Sequence, residues 1–133
     1  MTFKDGQPIY LQIAERLCDE ILAGTYPPDT RIPGVREYSA LLEVNVNTTV
    51  KAFDALAQRD VIYSKRGMGY FVTPDARERI AGERRKHFRE HAMPEFFERM
   101  RQLDISMYEM NEAFKAYENL HAKGTEARHD NPI

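Results

Sequence analysis

Apolar residues recur at spacings of three and four in several stretches of the chain, and each such stretch would line one face of a helix. Over Pro8 to Ala23 the apolar set is Tyr10, Ile13, Ala14, Leu17, Cys18 and Ile21. Pro8 suits the first turn of that helix and Gly24 its C-terminal cap. The stretch "GTYPPDTRIPG" excludes helix through its prolines and glycines and reads as a loop. A second, short helix is predicted over roughly residues 35–42, with Val35, Tyr38, Leu41 and Leu42 inward. A third starts near Asn47, with Thr49, Ala52, Phe53, Leu56 and Ala57 inward and Asn45 or Asn47 as its N-cap. The pattern then switches to two β-prone runs, "VIYS" and "YFVT". They are joined by "KRGMG", which predicts a hairpin whose glycines permit positive φ.

No strand pattern returns after Pro74. Residues 76–92 carry six Lys/Arg against three Asp/Glu, with a helix expected around Arg77–His91. Pro94 then opens what reads as one long helix. Phe96, Met100, Leu103, Met107, Met110, Phe114 and Tyr117 alternate spacings of four and three without a break, a heptad seam. A lone helix cannot cover such a face, so it must fold back on the helix around Arg77–His91, pair with the same helix of a second subunit, or do both. The polar segment 122–133, punctuated by Gly and Pro, predicts a disordered tail. The expected fold is mostly α with a small β-hairpin. A winged helix-turn-helix domain would span 1–74 and a short all-helical dimerisation region 75–121.

In the winged helix-turn-helix plan the second helix of the pair enters the DNA major groove with its N-terminal residues foremost. Here that helix offers Asn47, Thr48, Val50, Lys51 and Asp54 outside the core. Asn bonds adenine in bidentate fashion, Thr and Val touch a thymine methyl, and Lys reaches guanine or phosphate. Asn47 and Thr48 equally serve a purely capping role. In the hairpin, Lys65 and Arg66 precede Gly67, and a wing tip of that kind suits the negative potential of the minor groove. A nucleotide-loop reading of the glycines fails, because strands lie on both sides of them.

Charge and composition narrow the choice. The 133-residue chain has a formal net charge of −2. Residues 1–73 hold eight Lys/Arg and nine Asp/Glu, so any attraction for DNA must come from a local patch. The rival reading is a winged-helix protein–protein interaction module without DNA binding. Placement discriminates the two: Arg36, Lys51, Lys65 and Arg66 should share a face that Glu15, Asp19 and Glu20 avoid. The run Arg84, Arg85, Lys86 and His87 reads either as phosphate contacts or as a solvated face with pairs such as Arg79/Glu83 and Lys86/Glu90. Cys18 is alone, which excludes an intrachain disulfide and a cysteine zinc cluster. His87 and His91 share a helical face but complete no HExxH pattern, and no GxSxG is present. No catalytic residue, metal centre or cofactor is therefore expected, and the chain does not read as an enzyme. With neither a signal-peptide pattern nor an apolar run of membrane length, a cytoplasmic protein with no membrane partner is expected.

Four stretches in combination carry a family resemblance: "PIYLQI", "RIPGVR", "VNVNTTVKAF" and "GMGYFV". The region from about Gln7 to Val72 resembles the DNA-binding domain of the GntR family of bacterial transcription regulators. The short helical remainder is similar to the YtrA-type subfamily. The resemblance implies that Arg36 contacts the DNA backbone, that Asn45, Asn47, Thr48 and Lys51 occupy recognition-helix positions, and that Gly67 is the wing-tip glycine. It implies a homodimer formed by the C-terminal helices, without a large effector pocket; no effector is specified. The expected function is repression through a palindromic double-stranded operator. The chain departs from the family pattern at Gly34 (usually Ser or Ala), Val46 (commonly Pro or Ser/Thr), Thr49 (usually Val) and Arg59–Asp60 (usually a glycine).

Overall fold

The computed structural model describes residues 2–128, with side chains to residue 122. The elements in chain order are α1 (Ile9–Leu22), α2 (Val35–Leu42), α3 (Val46–Gln58), β1 (Ile62–Lys65), β2 (Gly69–Val72), α4 (Ala76–His87), a π-helical turn (Phe88–Ala92), α5 (Met93–Gln102) and α6 (Met107–Arg128). They form two compact units, residues 1–86 and the chain from His87 onward.

The core of the first unit gathers the inward faces that the periodicity marks. Ile13, Leu17 and Ile21 come from α1, Tyr38 and Leu42 from α2, Ala52, Phe53 and Leu56 from α3, and Ile62 and Val72 from the hairpin. Phe53 lies at their meeting point, its ring 5.8 Å from Tyr38 and 5.3 Å, edge-on, from Tyr70. The core continues past Pro74 through Ala76 and Ile80 of α4, so this unit extends twelve residues beyond the boundary expected at 74. Leu41, expected inward, is 62% exposed, and Ser39 is buried in its stead. Successive residues step about 100° around a helix, which carries Leu41 off the arc shared by Tyr38, Ser39 and Leu42.

β1 and β2 pair antiparallel, with Ile62 opposite Val72 and Lys65 opposite Gly69. A third extended segment joins β2 from the loop after α1. Arg31 bridges Phe71, the Ile32 N–H donates to the Tyr70 carbonyl at 3.0 Å, and the Val72 N–H donates to the Thr30 carbonyl at 3.0 Å. The wing is thereby tied to the segment that leads into α2.

The first three helices each end at or beside a left-handed residue. After α1, Gly24 (φ 84°) is followed by Thr25, whose N–H reaches the Glu20 carbonyl at 2.9 Å, the bond of a Schellman motif. After α3 the same role falls to Asp60 (φ 58°), with the Val61 N–H on the Leu56 carbonyl at 3.0 Å. Asp60 thus stands in a backbone region that strains a residue with a Cβ and suits a glycine. Asp60→Gly is expected to stabilise the domain by about 0.5–1 kcal/mol, less the extra freedom glycine gives the unfolded chain. A raised urea midpoint with unchanged m-value would show it; a lowered midpoint would contradict it.

The second unit departs from its expected form. The heptad seam was expected on one helix, but the chain breaks between α5 and α6. Asp104 is left-handed (φ 59°) and the Ile105 N–H closes α5 on the Met100 carbonyl at 3.0 Å. Ser106 then starts α6, its hydroxyl accepting the Glu109 N–H at 3.1 Å. Phe96, Met100 and Leu103 therefore belong to α5 or its end, and Met107, Met110, Phe114 and Tyr117 to α6. Pro94 does not open the helical run. The Met93 N–H donates to the Phe88 carbonyl in a wide π-turn, which accommodates the proline that cannot supply an α-helical N–H. The expected tail at 122–133 falls partly within α6, described to Arg128, and beyond that lies outside the described residues.

Candidate nucleic-acid interface

The first turn of α3 separates the two asparagines. Asn45 is the N-cap, its Oδ1 accepting the Asn47 N–H at 2.8 Å. Asn47 contributes only its backbone to that bond, so its exposed side-chain amide keeps both donor and acceptor for a bidentate partner. Thr49, Ala52, Phe53 and Leu56 are buried, which leaves Asn47, Val50, Lys51 and Asp54 exposed and Thr48 half-buried. Lys51 holds its Nζ 4.2 Å above the Tyr10 ring, a contact that restrains the side chain and leaves its charge intact.

Arg36 is the second residue of α2 and is exposed. Gly34, the N-cap, supplies no side-chain acceptor, so no side chain caps the first turn of α2, which carries Arg36 together with the acidic Glu37. The two helices are pinned by a buried polar contact. Ser39 Oγ lies 2.7 Å from the Val35 carbonyl and 2.8 Å from Thr49 Oγ1. Each hydroxyl has one proton, so both contacts are satisfied when Ser39 donates to Val35 and Thr49 donates to Ser39. Threonine at position 49 supplies the second hydroxyl of this contact, which an isosteric valine could not.

At the wing, the Met68 N–H closes a turn on the Lys65 carbonyl at 2.9 Å, with Gly67 (φ 76°) at the position where a type II turn demands positive φ. Arg66 is exposed on that turn. Lys65, expected at the tip, is instead the last residue of β1, its Nζ 4.6 Å over the Phe71 ring. The aromatic platform beneath it is fixed by stacking of Tyr63 on Phe71 (5.8 Å) and by the Tyr63 hydroxyl donating to Asp29 at 2.8 Å. That carboxylate beside the hydroxyl raises the Tyr63 pKa.

The distribution of ion pairs sorts the charges of a domain that is not basic overall. Glu15 binds Arg84 (2.9 Å) and Arg59 (3.5 Å), Asp19 binds Arg84 (2.8 Å), and Glu83 binds Arg59 (2.6 Å). Glu20 accepts the Tyr38 hydroxyl at 2.6 Å and faces Arg16 at 3.7 Å. Burial, that hydrogen bond and the Glu20 charge raise the Tyr38 pKa far above the phenol range. The acids of α1 are thus occupied by Arg16, Arg59 and Arg84. Arg36, Lys51, Lys65 and Arg66 have no acidic partner among the described residues. Arg84 is committed to α1 rather than free for phosphate, and Arg79 pairs with Asp75 (3.0 Å) instead of the expected Glu83. Cys18 is fully buried, and desolvation pushes its thiol up to about 11, which makes it inert.

In the second unit the expected seam residues mostly face outward. Met100 is buried and Met110 half-buried, whereas Phe96, Leu103, Met107, Phe114 and Tyr117 are each more than half exposed. Tyr108 and Leu120 add to the exposed apolar area of α6. The His87 and His91 rings lie 4.5 Å apart, tilted at 40°, yet among the described residues no group of three or more His, Cys, Asp or Glu could hold a metal ion. No described helix is long and apolar enough to cross a membrane.

Sequence reasoning passed over Arg31. Its Nε donates to the Met68 carbonyl at 2.9 Å, and it lies under Gly69, where a Cβ would come within 3.1 Å of Nε. A second glycine at position 69, beyond the one the turn needs, was the available signal.

Comparison with known proteins places these features. The family model for bacterial regulatory proteins of the gntR family matches residues 9–72. A crystal structure from Bacteroides thetaiotaomicron, described as a GntR-family transcriptional regulator, superposes with TM-score 0.79 at 38% identity, covering 84% of this chain and 98% of that one. The transcriptional repressor YtrA of Bacillus subtilis is 31% identical over 74 residues, 56% of this chain and 57% of YtrA. The DNA-binding domain of AraR in complex with operator ORX1 superposes with TM-score 0.51 at 30% identity, covering 54% of this chain and 93% of that domain. These relatives are regulators of transcription rather than enzymes. The chain belongs to the GntR family, as a winged helix-turn-helix, DNA-binding transcriptional regulator.

Proposed function

We propose that the chain acts as a homodimeric repressor that binds a palindromic operator. In this reading Asn47, Thr48 and Lys51 on α3 meet base edges in the major groove. Asn45 fixes the start of that helix, and Arg36 in the first turn of α2 holds backbone phosphate. The wing, with Lys65, Arg66 and Gly67, follows the minor groove. The observation that carries the reading is the sorting of charge. The four cations assigned to DNA lack acidic partners, while Glu15, Asp19 and Glu20 are engaged elsewhere. A helix-turn-helix dimer presents two recognition helices to two half-sites, which is why operator symmetry follows protein symmetry. The exposed apolar residues of α5 and α6 supply the surface for a second copy. YtrA, named a repressor, supports the direction of control. A bound dimer would act by excluding other proteins from the same DNA.

Fluorescence anisotropy against a duplex selected from a random library tests the site. Arg36→Ala is expected to bind at least about tenfold more weakly, a lost charge-assisted contact of about 1.5–3 kcal/mol. Its plot of log affinity against log salt should be shallower by about 0.9 for each phosphate released. Wild-type affinity and slope in the variant would remove Arg36 from the interface.

A further inference from the structure

We infer that Arg31 is a further DNA-binding residue: it locks the wing to the start of α2 through one nitrogen and offers the rest of its guanidinium to a backbone phosphate. This rests on the DNA interface proposed above. The guanidinium lies in a notch formed by two glycines from different elements. A Cβ on Gly69 of β2 would stand 3.1 Å from Nε and 3.5 Å from Nη2, and a Cβ on Gly34, the N-cap of α2, 3.9 Å from Nη2. Gly69 is held at φ 99°, a conformation that already disfavours a side chain. The tight wall is Gly69, where a Cβ would press on Nε, whereas a Cβ at Gly34 would make only ordinary contact.

Within the notch only Nε is used. It donates to the carbonyl of Met68, whose own N–H is taken by Lys65, so both backbone groups of the wing-tip residue are fixed. Arginine has five N–H donors in a rigid fork. The four on Nη1 and Nη2 make no hydrogen bond or ion pair among the described residues, and the side chain is exposed. A fork anchored at one edge loses little entropy when its other edge is used, and paired N–H groups match the oxygens of a phosphate. The residue spans the two elements, wing and α2, that carry Arg66 and Arg36. A phosphate held there would fix the wing relative to α2.

Arg31→Gln separates the two roles. Glutamine Nε2 sits the same number of bonds from Cα as arginine Nε, so it can keep the bond to the Met68 carbonyl while removing the charge and the fork. Against the selected duplex, Arg31→Gln is expected to bind about tenfold more weakly, with a salt plot shallower by about 0.9. Arg31→Lys, which restores a cation, should recover the slope. Arg31→Ala, which also frees the wing tip, should bind more weakly than Arg31→Gln. Thermal melts of the free variants check that the fold is intact. Wild-type affinity and slope in Arg31→Gln would overturn the phosphate assignment, as would failure of lysine to restore the slope. Equal affinities of the alanine and glutamine variants would overturn the locking role. If Arg36→Ala is silent as well, the interface itself is misplaced. If Arg31 alone is silent, only this inference falls.

Discussion

Phe53→Ala should destabilise the first unit by about 3–5 kcal/mol, the range for emptying a fully buried phenylalanine site. The ring has no exposed surface and joins three elements, touching Tyr38 of α2 and Tyr70 of β2 from its place on α3. Its removal costs the transfer energy of the ring and leaves a cavity that α2, α3 and the wing cannot all close at once. Single domains are stable by only about 5–15 kcal/mol, so the loss is a large fraction of the total. For a unit of this size the melting temperature should fall by more than about 12 °C. Urea unfolding followed by circular dichroism measures it. Leu41→Ala is the matched control, since that exposed side chain should change stability by no more than about 0.5 kcal/mol. A Phe53→Ala cost below about 1 kcal/mol would mean that the aromatic cluster does not hold these elements together. DNA binding by this variant should fail in step with unfolding, because the residues proposed to meet DNA sit on the elements that Phe53 joins.

What the sequence showed of this fold follows from where local signals were unopposed. The 3.6-residue period of α1 and α3 ran uninterrupted between a proline or asparagine start and a turn, and their buried faces match the periodic residues, apart from Gln12. Gln12 accepts the Lys4 N–H and donates to the Lys4 and Gln7 carbonyls, a stitch to the segment before α1 that no periodicity encodes. The seam over α5 and α6 misled because spacings of four and three continue through a break in the backbone. The sequence "SMYE" at 106–109 carried the contrary signal, a serine followed three residues later by glutamate, the pattern of a helix start. For the candidate interface, residue types on α3 and the glycines of the wing were legible. The pairing of Glu15, Asp19 and Glu83 with Arg59 and Arg84 was not, since these partners lie up to 69 residues apart. Nor was Arg31, whose placement depends on a backbone carbonyl and a close glycine of the wing, 37 and 38 residues further along the chain.

Phe114→Glu should abolish the proposed dimer. Phe114 is 56% exposed in the single chain and belongs to the α6 set Met107, Met110, Phe114 and Tyr117, spaced three, four and three. The break before α6 shortens the expected seam but leaves these four on one helix, where they remain a coherent apolar face. In a two-fold interface each copy contributes the same residue, so one substitution places two carboxylates in the contact. Each loses its hydration without gaining a partner, at a cost of several kcal/mol. Light scattering should report twice the 15.5 kDa chain mass for the wild type and the single mass for the variant. The first unit should melt as in the wild type, because Phe114 lies outside it and is not part of its core. The DNA consequence is separable by design of the duplex. Linked binding sites gain about 10²–10⁴ in affinity over single ones, so the full operator should bind the variant at least about a hundredfold more weakly. A duplex carrying one half-site should bind both proteins alike. A variant that stays dimeric would move the interface away from this face of α6. A monomeric variant with full operator affinity would keep the interface and deny that dimerisation serves DNA reading.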